Sequence, residues 1–414
     1  MIVSIFWFEL TKMVVLMTGS SSPRTLGFLV ALTMALQACI SVPPRNAVPE
    51  ERIDQATVPG GSAARMWGDS LPTNVERRIE ILRNQMDASG EDDVYTRERH
   101  YLSISGGGAN GAFGAGLLKG WSESGNRPEM TIVTGISTGA LIAPFAFLGS
   151  DYDDELELLY TTMSTSDLIK KRSLIAGLTS DALADTSPMR KLLLKHVDEE
   201  MLEEIAQEHA RGRRLLIGTT NLDAKRPVIW NIGAIAAVGT DESAQLIRDV
   251  MLASASIPGV FPPVRLKVQV GTQEYDELHV DGGVSSQVFL YPAQIDLRDA
   301  ANSLSLSGGQ NIYVLRNSIL EPHWSEVVPR LRPVALASIA TLIRTQGMGD
   351  LYRIYLGAKR DQIPFRLAYI PVDFYLEPNQ AFDPEYMRAL FDLGYESSRH
   401  GYDWAKSPPG VALP

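Results

Sequence analysis

Three short motifs, far apart in the chain, ask for one local shape: a strand that runs into glycine and stops at a turn. Ser105-Gly106-Gly107-Gly108-Ala109-Asn110-Gly111 follows the alternating stretch Tyr101 to Ile104 and precedes an apolar run from Ala112 to Trp121. Gly135-Ile136-Ser137-Thr138-Gly139 follows the short apolar stretch Thr131 to Thr134 and leads into an Ala- and Leu-rich run ending at Leu148. Asp281-Gly282-Gly283 closes an alternating stretch that begins at Tyr275. Short β-branched runs bounded by glycine read as strands, and the longer apolar runs as helices. A chain that alternates the two in this way is constrained to an α/β fold.

Each motif has a chemical reading. G-x-S-x-G places a serine on a sharp strand-to-helix turn, where Gly135 and Gly139 leave room for tight packing. The helix N-terminus behind Ser137 offers free N–H groups to a developing anion. Taken alone, the pentapeptide is also what chance produces in a chain with 34 glycines. The loop Gly106 to Gly111 lets backbone N–H groups approach a ligand unobstructed, as an oxyanion hole requires. It also fits the dinucleotide pattern G-x-G-x-x-G. That pattern wants an acid at the end of the next strand, where this chain has Gly135-Ile136-Ser137. A phosphate loop wants Lys followed by Ser or Thr, where this chain has Ala112-Phe113. A serine nucleophile needs a positioned base, and Asp281 at a strand end is one candidate. An Asp-Gly pair is equally a common turn.

The ordered set, together with Ala253-Ser254-Ala255-Ser256-Ile257-Pro258-Gly259-Val260-Phe261-Pro262-Pro263, resembles the patatin-like phospholipase family. The likeness covers roughly residues 99 to 290. It implies a three-layer α/β/α fold around a mostly parallel sheet, and hydrolysis of fatty-acyl esters such as phospholipid or lysophospholipid. It makes Ser137 the nucleophile and Asp281 the base of a dyad without histidine, with the amides of Gly106, Gly107 and Gly108 as oxyanion donors. Where many members carry Lys or Arg, this chain has Asn110. Two alternatives stand beside this reading. One is an α/β-hydrolase triad using His323 or His400. The other is a non-catalytic envelope lipoprotein that binds lipid or a partner.

The front end has a secretory layout: Arg24, an apolar core from Leu26 to Leu36, then Leu36-Gln37-Ala38-Cys39. It resembles a bacterial lipoprotein signal, with residues 1–38 removed and Cys39 lipidated. Cys39 is the only cysteine, so no intramolecular disulfide can form. Residues 39–61 are rich in Pro and Gly and read as a tether. Residues 62–98 form a helical segment, with Val75, Ile79, Leu82 and Met86 at helical spacing. Residues 99–414 remain as one catalytic domain, tethered to the membrane through its lipid anchor. The expected place is the bacterial envelope, at the outer membrane and facing the periplasm.

A formal charge of −11 argues against nucleic-acid binding and against an electrostatic grip on anionic membranes. No Cys/His cluster or H-E-x-x-H points to a metal, and no cofactor is implied. Val264 to Val270 and Tyr275 to Val280 are predicted to pair as a hairpin. His279, two residues from Asp281, reads as a packed or hydrogen-bonded strand residue, with tuning of the aspartate as the alternative. Trp324 to Thr345 is apolar on more than one face, which predicts packing in the core, or else a wall for the acyl chain.

Overall fold

The computed structural model describes residues 45–72, 74–171, 184–322, 324 and 326–411. The signal segment, Cys39 and His323 lie outside the described residues.

The main sheet is built from β1 (Arg65–Trp67), β2 (Arg99–Ile104), β3 (Ile132–Gly135), β4 (Arg214–Asn221), β5 (Arg226–Asn231), β6 (Val264–Val270), β7 (Gln273–Asp281), β8 (Gln310–Ile319) and β9 (Phe365–Ile370). Strands run in the order β1-β5-β4-β3-β2-β8-β9, with the hairpin β6–β7 joined to β4 through β7. From β4 to β9 all pairings are parallel. The β1, β5 and β7 pairings are antiparallel, so the sheet is mixed. The predicted hairpin forms, turning at Gly271-Thr272.

Helices cover both faces of the sheet. On one side lie α1 (Gly111–Glu123), α2 (Thr138–Leu148), α3 (Asp153–Thr162), α4 (Asp241–Ser254) and α5 (Pro384–Ser398), packed on Leu102, Ile104, Val133 and Leu315. On the other side α6 (Leu331–Asp361) lays Leu351, Ile354, Tyr355 and Ala358 against Tyr101, Ile312 and Val314. β2 and β8 are buried on both faces, which suits the continuous apolar run Ile312 to Leu315 in β8. α5, well beyond the recognisable motifs, packs backbone to backbone on α1: a Cβ on Gly116 would lie 2.0 Å from the Phe391 carbonyl oxygen.

Two expectations are corrected. From Asn46 onward the supposed tether is packed on the β6–β7 hairpin. Asn46 N–H donates to Asp276 Oδ2 (2.8 Å), Thr57 exchanges two backbone bonds with Gln269 (2.8 Å each), and Val48 and Val58 are buried. β6 is an edge strand, and an extended segment is what satisfies its open N–H and C=O groups. The stretch Trp324 to Thr345 is not in the core: Trp324, Leu331 and Leu342 are exposed. The helix predicted near residues 74–87 is present at Val75–Ala88, where Gln85 accepts from Arg214 (2.5 Å).

Candidate active site

β4 decides where the site forms. Its first half pairs with β3, Gly135 standing opposite Ile217. Its second half pairs with β7, Asp281 standing opposite Thr219. β5 occupies the other edge of β4 across both stretches. β3 and β7 therefore share one edge of β4 and run at each other head-on, with only Gly218 between their last partners. The turn after β3 and the end of β7 must meet.

Ser137 sits in that turn at φ 56°, ψ −126°, a region that costs a non-glycine residue about 1–3 kcal/mol. The flanking glycines permit it. A Cβ on Gly135 would lie 2.3 Å from the Gly139 carbonyl oxygen, and one on Gly139 would lie 2.3 Å from that of Ile104. Ser137 N–H donates to Ser254 Oγ (3.0 Å), whose hydroxyl donates to the Gly218 carbonyl (2.7 Å). Two residues on, the Ser256 carbonyl accepts Asp281 N–H (2.9 Å). The Ala253–Pro263 block thus clamps both halves of the site, a role that local pattern did not reveal.

Asp281 is buried, accepts Gly283 N–H on Oδ1 (2.7 Å), and has the Ser137 side chain beside it. Burial pushes its carboxyl up to about 7, against the opposing pull of the Gly283 N–H and the Ser137 side chain.

The glycine loop faces the same point. A Cβ on Gly106 would lie 3.1 Å from Ser137 Cβ, and Gly108, at φ 57°, lines a cavity together with Ser137. Gly106 N–H is already given to the Gln287 carbonyl (3.2 Å). That corrects the three-donor expectation: the N–H groups of Gly107 and Gly108 are the ones without an acceptor among the described residues. Asn317 backs the loop, donating its N–H to Ser105 Oγ (2.9 Å) and its Nδ2 to the Ser105 carbonyl (3.1 Å). Asn110 accepts the Tyr386 hydroxyl (2.7 Å), which pins the loop to α5.

The cavity beside Ser137 is walled mainly by apolar side chains, among them Leu141, Phe145, Leu193, Met251 and Phe261. His196 also lines it, with Nδ1 against Glu155 Oε1 (2.5 Å) and a buried Nε2 that has no partner among the described residues. His400 is exposed. His279 is buried between Thr219 Oγ1 (2.9 Å) and Glu277 Oε2 (3.0 Å), which fits the packed-strand expectation. Burial tends to raise the Glu277 carboxyl, but bonds to His279 and to the Arg65 guanidinium (2.6 and 2.9 Å) outweigh it and hold it at about 2.

Residues 102–293 match the family model of the patatin-like phospholipases. No curated protein matches the chain. Among solved structures it is similar to VipD from Legionella pneumophila, at 12% identity over 72% of this chain and 67% of that one, with a TM-score of 0.33. It is also similar to human GIVD cytosolic phospholipase A2, at 12% identity over 77% of this chain and 53% of that one (TM-score 0.29). A third is the type III effector protein ExoU, at 12% identity over 73% of this chain and 52% of that one (TM-score 0.20). The chain thus spans about half the length of the last two. The patatin-like region holds Ser137, Asp281 and the glycine loop, and its match supports lipid acyl hydrolysis in general terms. β8, α6 and α5 lie beyond it.

Proposed function

We propose that the protein is a serine hydrolase of fatty-acyl esters, phospholipid or lysophospholipid, working through a Ser137–Asp281 dyad. The observation that carries this reading is a strained, buried serine set beside a buried carboxylate whose ionisation its side chain favours, at the mouth of an apolar cavity. Asp281 takes the Ser137 proton as Oγ adds to the ester carbonyl. The oxyanion is received by the N–H groups of Gly107 and Gly108, with the acyl chain in the cavity. Collapse expels the alcohol, which leaves with the proton held by Asp281. Water, deprotonated by the same carboxylate, then attacks the acyl-Ser137 ester, and the serine recovers a proton as the fatty acid departs.

A fluorophosphonate probe is expected to label the wild type and not Ser137→Ala; equal labelling of both would remove the nucleophile. The pH profile gives a second test. Asp281 must be ionised to accept a proton, and its raised value puts that ionisation near pH 7. The expected kcat/KM falls about tenfold per pH unit below that point and levels off above it. A plateau that extends unchanged to pH 5 would contradict Asp281 as the base.

The same proposal places the protein at the bacterial outer membrane through a lipid on Cys39. It rests on the Leu36-Gln37-Ala38-Cys39 boundary and the apolar run before it. Cells given a labelled fatty acid should label the wild type and not Cys39→Ser; a mature N-terminus elsewhere would end the idea.

A further inference from the structure

α6 is anchored along only half of its length. Its second half is buried on the sheet, whereas in its first half Leu331 is 90%, Ile339 53% and Leu342 69% exposed. At about 100° per residue, Leu331, Val334, Ile339, Leu342 and Ile343 fall within about half of the helix circumference. Arg344 falls outside that half, Arg332 falls inside it near one edge, and Arg330 is the extended residue that precedes the helix. Trp324, Val327 and Val328, just before the helix, are exposed as well. Folding normally hides such a stripe, and an apolar patch of this extent marks a contact surface.

The charge of the segment identifies the partner. From Trp324 to Gly349 the chain carries Arg330, Arg332 and Arg344 against the single acid Glu326, in a protein of net charge −11. Apolar side chains on one face with arginines beside them suit the headgroup layer of an anionic bilayer. The overall acidity repels such a surface, so the cationic stretch is where contact is permitted. No described helix, α6 included, is long and apolar enough to cross a membrane, which leaves lying on the surface.

The arm also points from the site. Gln346, next along α6, accepts from Gln287 Nε2 (3.1 Å), which in turn donates to the Gly283 carbonyl (2.7 Å) beside Asp281. Val284 is exposed there, as is Ile257, which lines the cavity and so marks its mouth.

We propose that the first half of α6 is a docking arm that lies in the headgroup layer of an anionic phospholipid bilayer and holds the cavity mouth against the lipid. The proposal rests on the reading that the substrate is a membrane acyl ester. The test uses the full chain carrying Cys39→Ser and Leu342→Cys, labelled with an environment-sensitive dye and mixed with vesicles of phosphatidylethanolamine and phosphatidylglycerol. The emission should shift to the blue and brighten, while a label at Leu194→Cys, 57% exposed on the helix Ser187–His196, should not respond. No shift at Leu342, or the same shift at Leu194, overturns the proposal. So does a shift without vesicles that grows with protein concentration, since a second copy would then cover the stripe. In a second arm, Ile339→Asp with Leu342→Asp should lower vesicle hydrolysis about tenfold or more and leave hydrolysis of a soluble short-chain ester unchanged. Unchanged vesicle hydrolysis overturns the arm. A dye shift at position 342, together with a wild type that hydrolyses neither substrate, supports the arm and removes the hydrolase reading.

Discussion

Asp281→Asn is expected to abolish turnover and to make the protein more heat-stable above neutral pH. Asparagine keeps the shape and can still accept Gly283 N–H, but it cannot take the Ser137 proton. The stability gain follows from the raised pKa. The unfolded chain loses this proton near the ordinary value of 3.8, whereas the folded chain keeps it up to about 7. Folded protein therefore loses stability as pH rises between those two values, and the whole penalty persists above them. It is on the order of 4 kcal/mol, and the asparagine removes it. Thermal melts at pH 4 and pH 8 check this: the variant's advantage should be absent at the first and present at the second. A histidine-dependent triad predicts otherwise. There Asp281 only orients an imidazole, and loss of the histidine is ruinous. His196 is the histidine found beside Ser137 in the cavity, so it joins His323 and His400 as the position to test. Each histidine variant, replaced singly and confirmed to fold, should keep activity within about tenfold of wild type, roughly 1.4 kcal/mol in barrier. A collapse in any one of them, with Asp281→Asn still active, would overturn the dyad.

Gly107→Ala should lower kcat by about 10² to 10³ with little change in KM, because the donor it displaces serves the oxyanion and not the bound ester. Even one methyl suffices. A Cβ at Gly107 would stand 2.3 Å from the Asn317 carbonyl oxygen and 2.8 Å from Asn317 Cβ, in a residue held to Ser105 by its N–H and its Nδ2. The loop must move away, and its N–H groups move with it. Gly108→Ala is the control. Its Cβ points into open space, and only the left-handed φ of 57° penalises it, by about 1 kcal/mol. It should keep most of the wild-type kcat. Equal losses in the two variants, or a folded Gly107→Ala with normal kcat, would sink the assignment of the loop.

Local chemistry made much of this molecule legible in advance. The strand-to-turn positions of Ser137, Asp281 and the glycine loop follow from short apolar runs stopped by glycines, and no distant residue is needed to see them. The β6–β7 hairpin and the helix at Val75–Ala88 are local in the same sense, set by alternation and by helical spacing. Where composition was the guide, it misled. The Pro- and Gly-rich stretch from Asn46 is packed because an edge strand happens to lie beside it, and nothing in its own residues announces that strand. Trp324 to Thr345 has the apolar content of a core element, yet α6 outruns the sheet it packs on.

By itself, then, the chain determines which residues are poised at turns, because a tight turn is paid for by its own glycines. Whether those turns meet is a tertiary matter. Ser137 faces Asp281 because β3 and β7 claim one edge of β4 from opposite ends, a pairing between segments more than a hundred residues apart. The same pairing brings Ser254 and Ser256 behind the two residues, and commits Gly106 N–H to Gln287 and not to the site. Strand register and hydrogen-bond partners of this kind depend on which edges remain open after the sheet has formed, and the sequence of any one segment does not contain that information.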